Sequence, residues 1–302
     1  MKQILVIGGF GFIGSHLSEL YEKDGYQVFK TSRFYEITED KTSLQSDYSE
    51  ESFVEILDNN DFDLVFYLSG NPYPATSENH AIYDVQHTIA PVVNLLSALK
   101  RTKFKGTLWF ASSVAVYGKT FSNFQSESDI CNPLSSYAVA KITGEKYLKL
   151  FADKYGLSCG SLRIFSTFGE GLKRQIVYDL YTKAVSDSVH LELIGSGKEE
   201  RDLCYVGDQV ARIKALADSL RPVGDVYNIG NGTSISTYDV AKEILKVTKI
   251  NKKIIVSESV RGFDGYQWRA CTKKFSAVAN NPFTDFSLAL KKTIESYELV
   301  IN

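Results

Sequence analysis

Apolar residues in the first half of the chain fall in short blocks, separated by stretches where apolar positions recur every three or four residues. Ile4–Ile7 is an uninterrupted apolar run, the pattern of a parallel strand buried on both faces. Ser15–Asp24 has helical spacing and is closed by Gly25, where a left-handed residue commonly ends a helix. The alternation continues with Gln27–Thr31 as strand, Glu50–Asn59 as helix and Leu64–Leu68 as strand. Ala81–Lys100 carries a long helical pattern with Pro91 inside it, which predicts a kink at the proline. Leu108–Ala111 is a further buried strand, Tyr137–Tyr155 a helix and Ser158–Phe165 a strand. Strand–helix–strand repetition at this spacing predicts an α/β fold, a doubly wound parallel sheet with helices on both faces.

Beyond about Ser166 the rhythm loosens, with glycine clusters at Gly169–Gly171, Gly195–Gly197 and Gly230–Gly232 and shorter elements between them. No linker marks a boundary, so the chain divides softly into a lobe over residues 1–165 and a smaller C-terminal lobe over 166–302 that interleaves with it. The 302 residues carry 34 Lys and Arg against 36 Asp and Glu, a net charge of -2. That balance gives no global field to draw the chain to nucleic acid or a membrane surface. Hydrophobic residues make up 44%, enough for a packed core and too many for global disorder. No run reaches the roughly 18 apolar residues that cross a bilayer. The N-terminal apolar block runs into glycines where a signal peptide would end in a cleavage site, so a cytoplasmic protein is expected. Cys131, Cys159, Cys204 and Cys271 lie far apart, and His80, His87 and His190 have no partners at ligand spacing, so no metal is expected. Cys159 and Cys204 read as small buried hydrophobes, and His16 as a packing or phosphate-neighbouring residue.

Between the first strand and the first helix stands Gly8-Gly9-Phe10-Gly11-Phe12-Ile13-Gly14. It satisfies G-x-G-x-x-G from Gly9 and G-x-x-G-x-x-G from Gly8. Glycine is needed there for the tight turn, for close approach of the backbone to a pyrophosphate, and for close packing of helix on strand. The helix that follows points its positive end at the phosphates. In this context the motif predicts a dinucleotide held by Gly8, Gly11, Phe12, Ile13 and Gly14, and a sheet of the Rossmann type.

Ala111-Ser112-Ser113-Val114-Ala115-Val116-Tyr117-Gly118 follows a buried strand directly, and parallel sheets place their chemistry at such carboxyl ends. Further on, Tyr137 and Lys141 are four apart in a helical segment and share one face. An ammonium beside a phenol favours the phenolate and lowers a tyrosine pKa that starts near 10, giving a general acid/base for neutral pH. Ser113 is placed to hydrogen-bond the same substrate oxygen.

With these residues in view the chain resembles, over nearly its whole length, the extended short-chain dehydrogenases/reductases, in the NAD-dependent epimerase/dehydratase family that acts on nucleotide sugars. The resemblance implies a Ser113–Tyr137–Lys141 triad in which Tyr137 passes the proton and Lys141 also holds the nicotinamide ribose. It implies Asp47, in the run Asp47-Tyr48-Ser49, as the acid at the adenine, and Leu68-Ser69-Gly70, where alanine is more usual, as the strand end beside the cofactor. Leu162-Arg163-Ile164-Phe165-Ser166-Thr167-Phe168-Gly169 resembles the segment crossing from cofactor, at Phe165, to substrate, at Ser166, where the family usually has Asn. Gly195-Ser196-Gly197 followed by Arg201-Asp202-Leu203 resembles the hairpin whose arginine binds the sugar-nucleotide diphosphate, and Arg261-Gly262-Phe263-Asp264 the late arginine that completes the clamp. Guanidinium suits both places because it binds phosphate bidentately. Tyr178 and Tyr266 are candidates to stack on a nucleobase. The family commonly dimerises through two long helices, here Ala81–Lys100 and Tyr137–Lys154, so a homodimer is expected, with a nucleoside-diphosphate sugar as the substrate.

An idle dinucleotide-binding sensor has no need of the Ser–Tyr–Lys set, so an NAD(P)-dependent nucleotide-sugar reductase or epimerase is expected. A 4,6-dehydratase of the family carries an acidic pair after its catalytic hydroxyl, whereas Val114 and Ala115 stand here and cannot ionise. NAD-selective folds place an acid at the end of the second strand. Here that strand ends Val28-Phe29-Lys30-Thr31-Ser32-Arg33, with Ser32 in the acid's place, Arg33 suited to a 2′-phosphate, and Glu36 the nearest acid along the loop. NADP(H) is therefore expected over NAD(H). With it goes a 4-ketoreductase of a nucleoside-diphosphate 4-keto-6-deoxyhexose, taking hydride from NADPH and a proton from Tyr137. A nucleotide-sugar 4-epimerase with tightly held NAD is the alternative, and the non-catalytic sensor is the alternative of another class.

Overall fold

In the first strand Leu5 and Ile7 pack on one face of the sheet and Ile4 and Val6 on the other, which is why that run shows no polar alternation. The computed structural model describes residues 2–33, 41–71, 80–119, 122–257, 267–280 and 283–299. Strand β1 (Gln3–Ile7) leads to α1 (Phe12–Lys23), β2 (Gln27–Ser32), β3 (Ser43–Gln45), α2 (Glu50–Asp58) and β4 (Phe62–Tyr67). Next come α3 (Ala81–Asp84), a π turn (Val85–Ile89), α4 (Ala90–Arg101), β5 (Thr107–Ser113), a 3-10 turn (Val114–Tyr117), α5 (Ser136–Tyr155) and β6 (Cys159–Ile164). The remainder comprises β7 (Ser166–Phe168), α6 (Gln175–Val185), β8 (His190–Ile194), β9 (Glu200–Arg201), β10 (Leu203–Tyr205), α7 (Val206–Ser219), β11 (Val223–Ile229), β12 (Ile235–Ser236), α8 (Thr237–Thr248), β13 (Lys253–Ser257), α9 (Lys273–Ser276) and α10 (Phe286–Glu298).

Seven strands form one parallel sheet in the order β11-β6-β5-β4-β1-β2-β3. The strand order reverses at β1, so a crevice opens beyond the carboxyl ends of β1 and β4, where doubly wound folds bind their ligands. One face of the sheet is covered by apolar residues of α2, α4 and α5, among them Phe53, Leu95 and Leu148. The other is covered by α1, α7 and α9, through Leu17, Val210 and Phe275. Strand β11, drawn from well past residue 166, pairs with β6 and completes this sheet. A separate core gathers Phe168, Leu180, Leu191, Ile244, Leu290 and Tyr297 from α6, β8, α8 and α10 and the strands between them. Among the described residues, no helix is long and apolar enough to cross a membrane.

Two features differ from the sequence pattern. Where a kink was expected at Pro91, the helix instead widens just before it into the π turn over Val85–Ile89, and Pro91 itself sits in the first turn of α4. An inserted residue of this kind lets a helix accommodate the missing proline N–H. The short edge strand β3 carries no periodic signal in its three residues.

The glycine turn joins β1 to α1 at van der Waals limits. Gly8 has φ +86, and a Cβ on it would lie 2.9 Å from the Ser69 amide nitrogen. A Cβ on Gly14 would press into the Gly8 carbonyl and come within 2.9 Å of Gly9 Cα. Gly14→Ala is therefore expected to push α1 away from the turn, with a loss of about 1–3 kcal/mol from overpacking. Urea unfolding of the variant beside wild type checks this.

Candidate active site

A cleft of about 1260 Å3 lies over the carboxyl ends of β1, β4 and β5. Its floor at one end is the turn Gly8–Gly14, with Phe10, Phe12 and Ile13 on the wall. The first amides of a helix have no intrahelical acceptors, and the first turn of α1 holds no acidic residue, so this end favours an anion. Glycine lets the walls of this end close up on each other, at Gly8 against the Ser69 backbone and at Gly70, where a Cβ would stand 3.2 Å from Lys141 Nζ. The residues present therefore fit a dinucleotide. Arg33, Tyr48, Leu68 and Ser69 continue the same wall, with the Arg33 guanidinium 5.0 Å from the centroid of the Tyr48 ring.

The middle of the cleft brings Ser113, Tyr137 and Lys141 together. Ser113 ends β5, and its Oγ accepts from the Ala115 amide at 3.2 Å, capping the 3-10 turn. Ser135 caps α5 by accepting from Ala138 N at 3.2 Å, which starts the helix immediately ahead of Tyr137. The Ser113 hydroxyl lies close enough to the Tyr137 phenol to favour its ionised form. Lys141 is 4% exposed, and its Nζ donates to the Ala111 carbonyl at 2.8 Å while lying 5.7 Å from the Tyr137 ring centroid.

The electrostatics correct one expectation. Burial pushes the Tyr137 phenol above its ordinary value, the Ser113 hydrogen bond and the Arg174 charge pull against that rise, and Asp84 adds to it. Lys141 is itself pulled down to about 8 by burial, with Asp84 opposing the fall. Lys141 thus does not set the phenol's affinity in the protein alone, because its ammonium is turned to a backbone carbonyl and desolvation dominates both groups.

Beneath the triad sits an ion pair that the sequence reading missed. Glu145, one turn beyond Lys141, accepts from Arg163 Nε at 3.0 Å and Nη2 at 2.8 Å, with side-chain exposures of 4% and 5%. Ser112, the neighbour of Ser113, donates to Glu145 Oε1 at 2.5 Å. Strands β5 and β6 are so tied to the buried face of α5. The signal was present in the sequence as an acidic residue at the next i+4 step after Tyr137 and Lys141, and as a charge inside an apolar strand.

Of the residues singled out from sequence, Gly8, Gly11, Phe12, Ile13, Gly14, Arg33, Tyr48, Leu68, Ser69, Gly70, Ser113, Tyr137, Lys141, Phe165, Ser166 and Arg201 all line this one cleft. Asp47 is not among the lining residues: its carboxylate accepts from Ser49 N at 2.8 Å in the turn ahead of α2. Tyr178 packs edge-on against Tyr297, 5.1 Å between centroids, and does not line the cleft; the apolar core of the second lobe claims it. Arg261 and Tyr266, and the side chain of Ser32, lie outside the described residues. His16 meets the Glu170 carbonyl at 2.9 Å, joining α1 to the segment after β7. Arg174, Asp179, Lys183, Glu199 and Trp268 line the far end without having been foreseen, since no local motif announces them. Among the described residues, no group of three or more His, Cys, Asp or Glu is placed to hold a metal ion.

Comparison with known proteins agrees with this architecture. The model of the NAD dependent epimerase/dehydratase family matches residues 4–230. An uncharacterized UDP-glucose epimerase of Bacillus subtilis is 27% identical over 97% of this chain and 96% of its own length. The dTDP-4-dehydro-6-deoxyglucose reductase of Escherichia coli is 28% identical over 84% of this chain and 83% of its own. The UDP-glucose 4-epimerase of Thermotoga maritima, solved with UDP-glucose, superposes with a TM-score of 0.88 over 99% of this chain and 100% of that one, at 24% identity, a likeness of fold.

Replacing Glu145 by Gln leaves Arg163 buried without its counter-charge, which typically costs about 3–5 kcal/mol. Denaturant unfolding of the variant is expected to show a loss of that size, and an unchanged midpoint would remove the pair from the support of α5.

Proposed function

Because the chain belongs to the NAD dependent epimerase/dehydratase family, we propose that it is a 4-ketoreductase acting on a nucleoside-diphosphate 4-keto-6-deoxyhexose with NADPH. The chain is an NAD(P)-dependent enzyme of the nucleotide-sugar epimerase and reductase type. The observation that carries the finer reading is Arg33. It lines the cleft just past the end of β2, and no carboxylate lines that end among the described residues. A guanidinium there favours a 2′-phosphate, whereas an acid would favour the ribose hydroxyl. Val114 and Ala115 line the cleft directly after Ser113, so the position where a dehydratase needs acids holds none.

In this reading residues 1–165 form the cofactor lobe and 166–302 the sugar-nucleotide lobe, with β11 and α7 returning to the first. The bound dinucleotide supplies the hydride. The sugar's C4 oxygen sits between Ser113 Oγ and Tyr137 Oη. Ser113 holds the oxygen, and Tyr137 gives up the proton that converts it to a hydroxyl. Lys141 stays behind the phenol and holds the ribose, Asp47 is assigned to the adenine, and Phe165 and Ser166 pass the substrate toward the diphosphate end. Arg201, whose guanidinium is 6.0 Å from the Trp268 ring centroid, and Arg261 are assigned to the diphosphate. A homodimer through α3–α4 and α5 is part of the proposal, supported by exposed Ile82, Val139 and Leu150 on those elements. The second reading, a 4-epimerase with retained NAD, is favoured by the epimerases among the relatives.

Tyr137→Phe is expected to lower turnover about 10²–10⁴-fold, the usual worth of a positioned proton donor, with the cofactor dissociation constant within a few fold; steady-state rates and fluorescence titration read the two. Turnover near wild type would remove Tyr137 from the mechanism.

The cofactor claim is tested by the ratio of kcat/KM for NADPH and NADH with a 4-keto-6-deoxy nucleotide sugar. Wild type is expected to prefer NADPH, and Arg33→Ala to lose about 10-fold or more toward NADPH alone, as a charged hydrogen bond to phosphate is worth about 1.5–3 kcal/mol. A preference for NADH overturns the claim. Redox-neutral conversion of a plain nucleotide hexose, with NAD retained through purification, establishes the epimerase instead.

A further inference from the structure

A buried carboxylate stands behind the triad that neither the sequence pattern nor the proposed chemistry uses. Asp84, at the end of α3, is 1% exposed. Its Oδ1 accepts from Asn71 Nδ2 at 3.1 Å, its Oδ2 has no hydrogen-bond partner, and its side chain caps neither α3 nor the π turn. A carboxylate buried with a single neutral donor is costly unless an opposite charge offsets it. The π turn sets Asp84 and Thr88 both inward, against α5. Across that contact the point where a Gly70 Cβ would stand is 3.2 Å from Lys141 Nζ and 3.4 Å from Thr88 Oγ1, so the strand-end loop, the π turn and the ammonium converge.

We propose that Asp84 is a positioning residue for the Tyr137–Lys141 pair, its buried carboxylate serving as counter-charge to the Lys141 ammonium across the packing of α3 and the π turn on α5. The proposal rests on the reading of Tyr137 as the proton donor. Among the described residues, the charged groups that face the pair are Asp84 from α3 and Arg174 from the residue before α6. Glu145 on α5 is already matched by Arg163 of β6, and Tyr83 and His87, on Asp84's own helix, stack on each other at 3.8 Å. The directions agree with the geometry: Asp84 holds Lys141 up against burial and raises the Tyr137 phenol further. Both effects favour the protonated pair, the state that delivers a proton to a ketone. Burial pulls Lys141 down to about 8 and Asp84 opposes that fall, so Asp84 widens the alkaline side of the working range.

The test is Asp84→Asn, which keeps the shape and the bond from Asn71 and removes only the charge. Trace labelling of lysines by acetic anhydride across a pH series, read by peptide mass spectrometry, gives the titration midpoint of Lys141 without turnover. The midpoint is expected near 8 in wild type and about one unit lower in the variant, the size of one nearby charge. The alkaline limb of ketone reduction should move with it, while rates at pH 6 stay within about twofold. Equal midpoints in the two proteins would overturn the proposal. If Asp84→Asn does not fold, the double variant Asp84→Asn, Lys141→Gln decides: recovery of folding when both charges are gone supports the coupling, and a double variant no better than the single one counts against it. Wild type inert toward nucleotide sugars would sink the functional reading, and the labelling comparison would still decide Asp84.

Discussion

The bidentate contact between Glu145 and Arg163 is what the site rests on. Tyr137, Lys141 and Glu145 share one face of α5, so fixing the last of them to the sheet fixes the rotation and axial position of the other two. Ser112 adds the third tie, from the residue next to Ser113. Gly144 lets the helix lie close, since a Cβ there would be 2.7 Å from the Phe110 ring. On the other side Arg163 stacks on Tyr117 at 4.7 Å, and the Tyr117 hydroxyl donates to Asn228 of β11 at 2.7 Å. A buried ion pair is a weak source of stability against an apolar replacement. Its value here is registry: a helix rolled by one residue would leave a carboxylate facing hydrocarbon, so that alternative is strongly disfavoured.

How much of this was legible in the chain follows the range of the interactions. The parallel sheet could be read because its strands are buried on both faces, as Ile4–Ile7 and Leu108–Ala111 show by having no polar alternation. The glycine turn and the Tyr137–Lys141 spacing are local, and both stand in the cleft. The π turn at Val85–Ile89 was read as a kink at Pro91, since the proline is visible in the sequence and the inserted residue before it is not. The direction of the Tyr137 shift was misjudged for a related reason. Spacing says that an ammonium is near a phenol, but only the packed structure says that it faces the Ala111 carbonyl. Arg174 and Trp268 come from loops and isolated bridges, so no periodicity could bring them to the wall. Asp84 looks like an ordinary helix-end acid until α5 is packed over it.

Charge is divided along the cleft. Arg33 stands at one end, Arg174, Lys183 and Arg201 stand at the other beside Asp179 and Glu199, and hydroxyls and the buried Lys141 ammonium occupy the middle. Anionic groups at both ends of a bound pair of ligands would therefore find cations without any net charge on the protein, which is -2 overall. A near-neutral net charge therefore does not reveal the cations gathered locally in the cleft.

The pairing of β11 with β6 has a consequence for how the chain is made. When Ile164 leaves the ribosome, β6 is the outer strand of the sheet, with its N–H and C=O groups bare along one side, the arrangement that invites edge-to-edge association. The strand that seals it is some sixty residues away, which at about 5–20 residues per second is an interval of about 3–12 s. During that interval Glu145 and Arg163 can already meet, but Asn228 has not arrived to hold Tyr117. Helix α5 would then sit on a sheet whose edge stays open until β11 arrives.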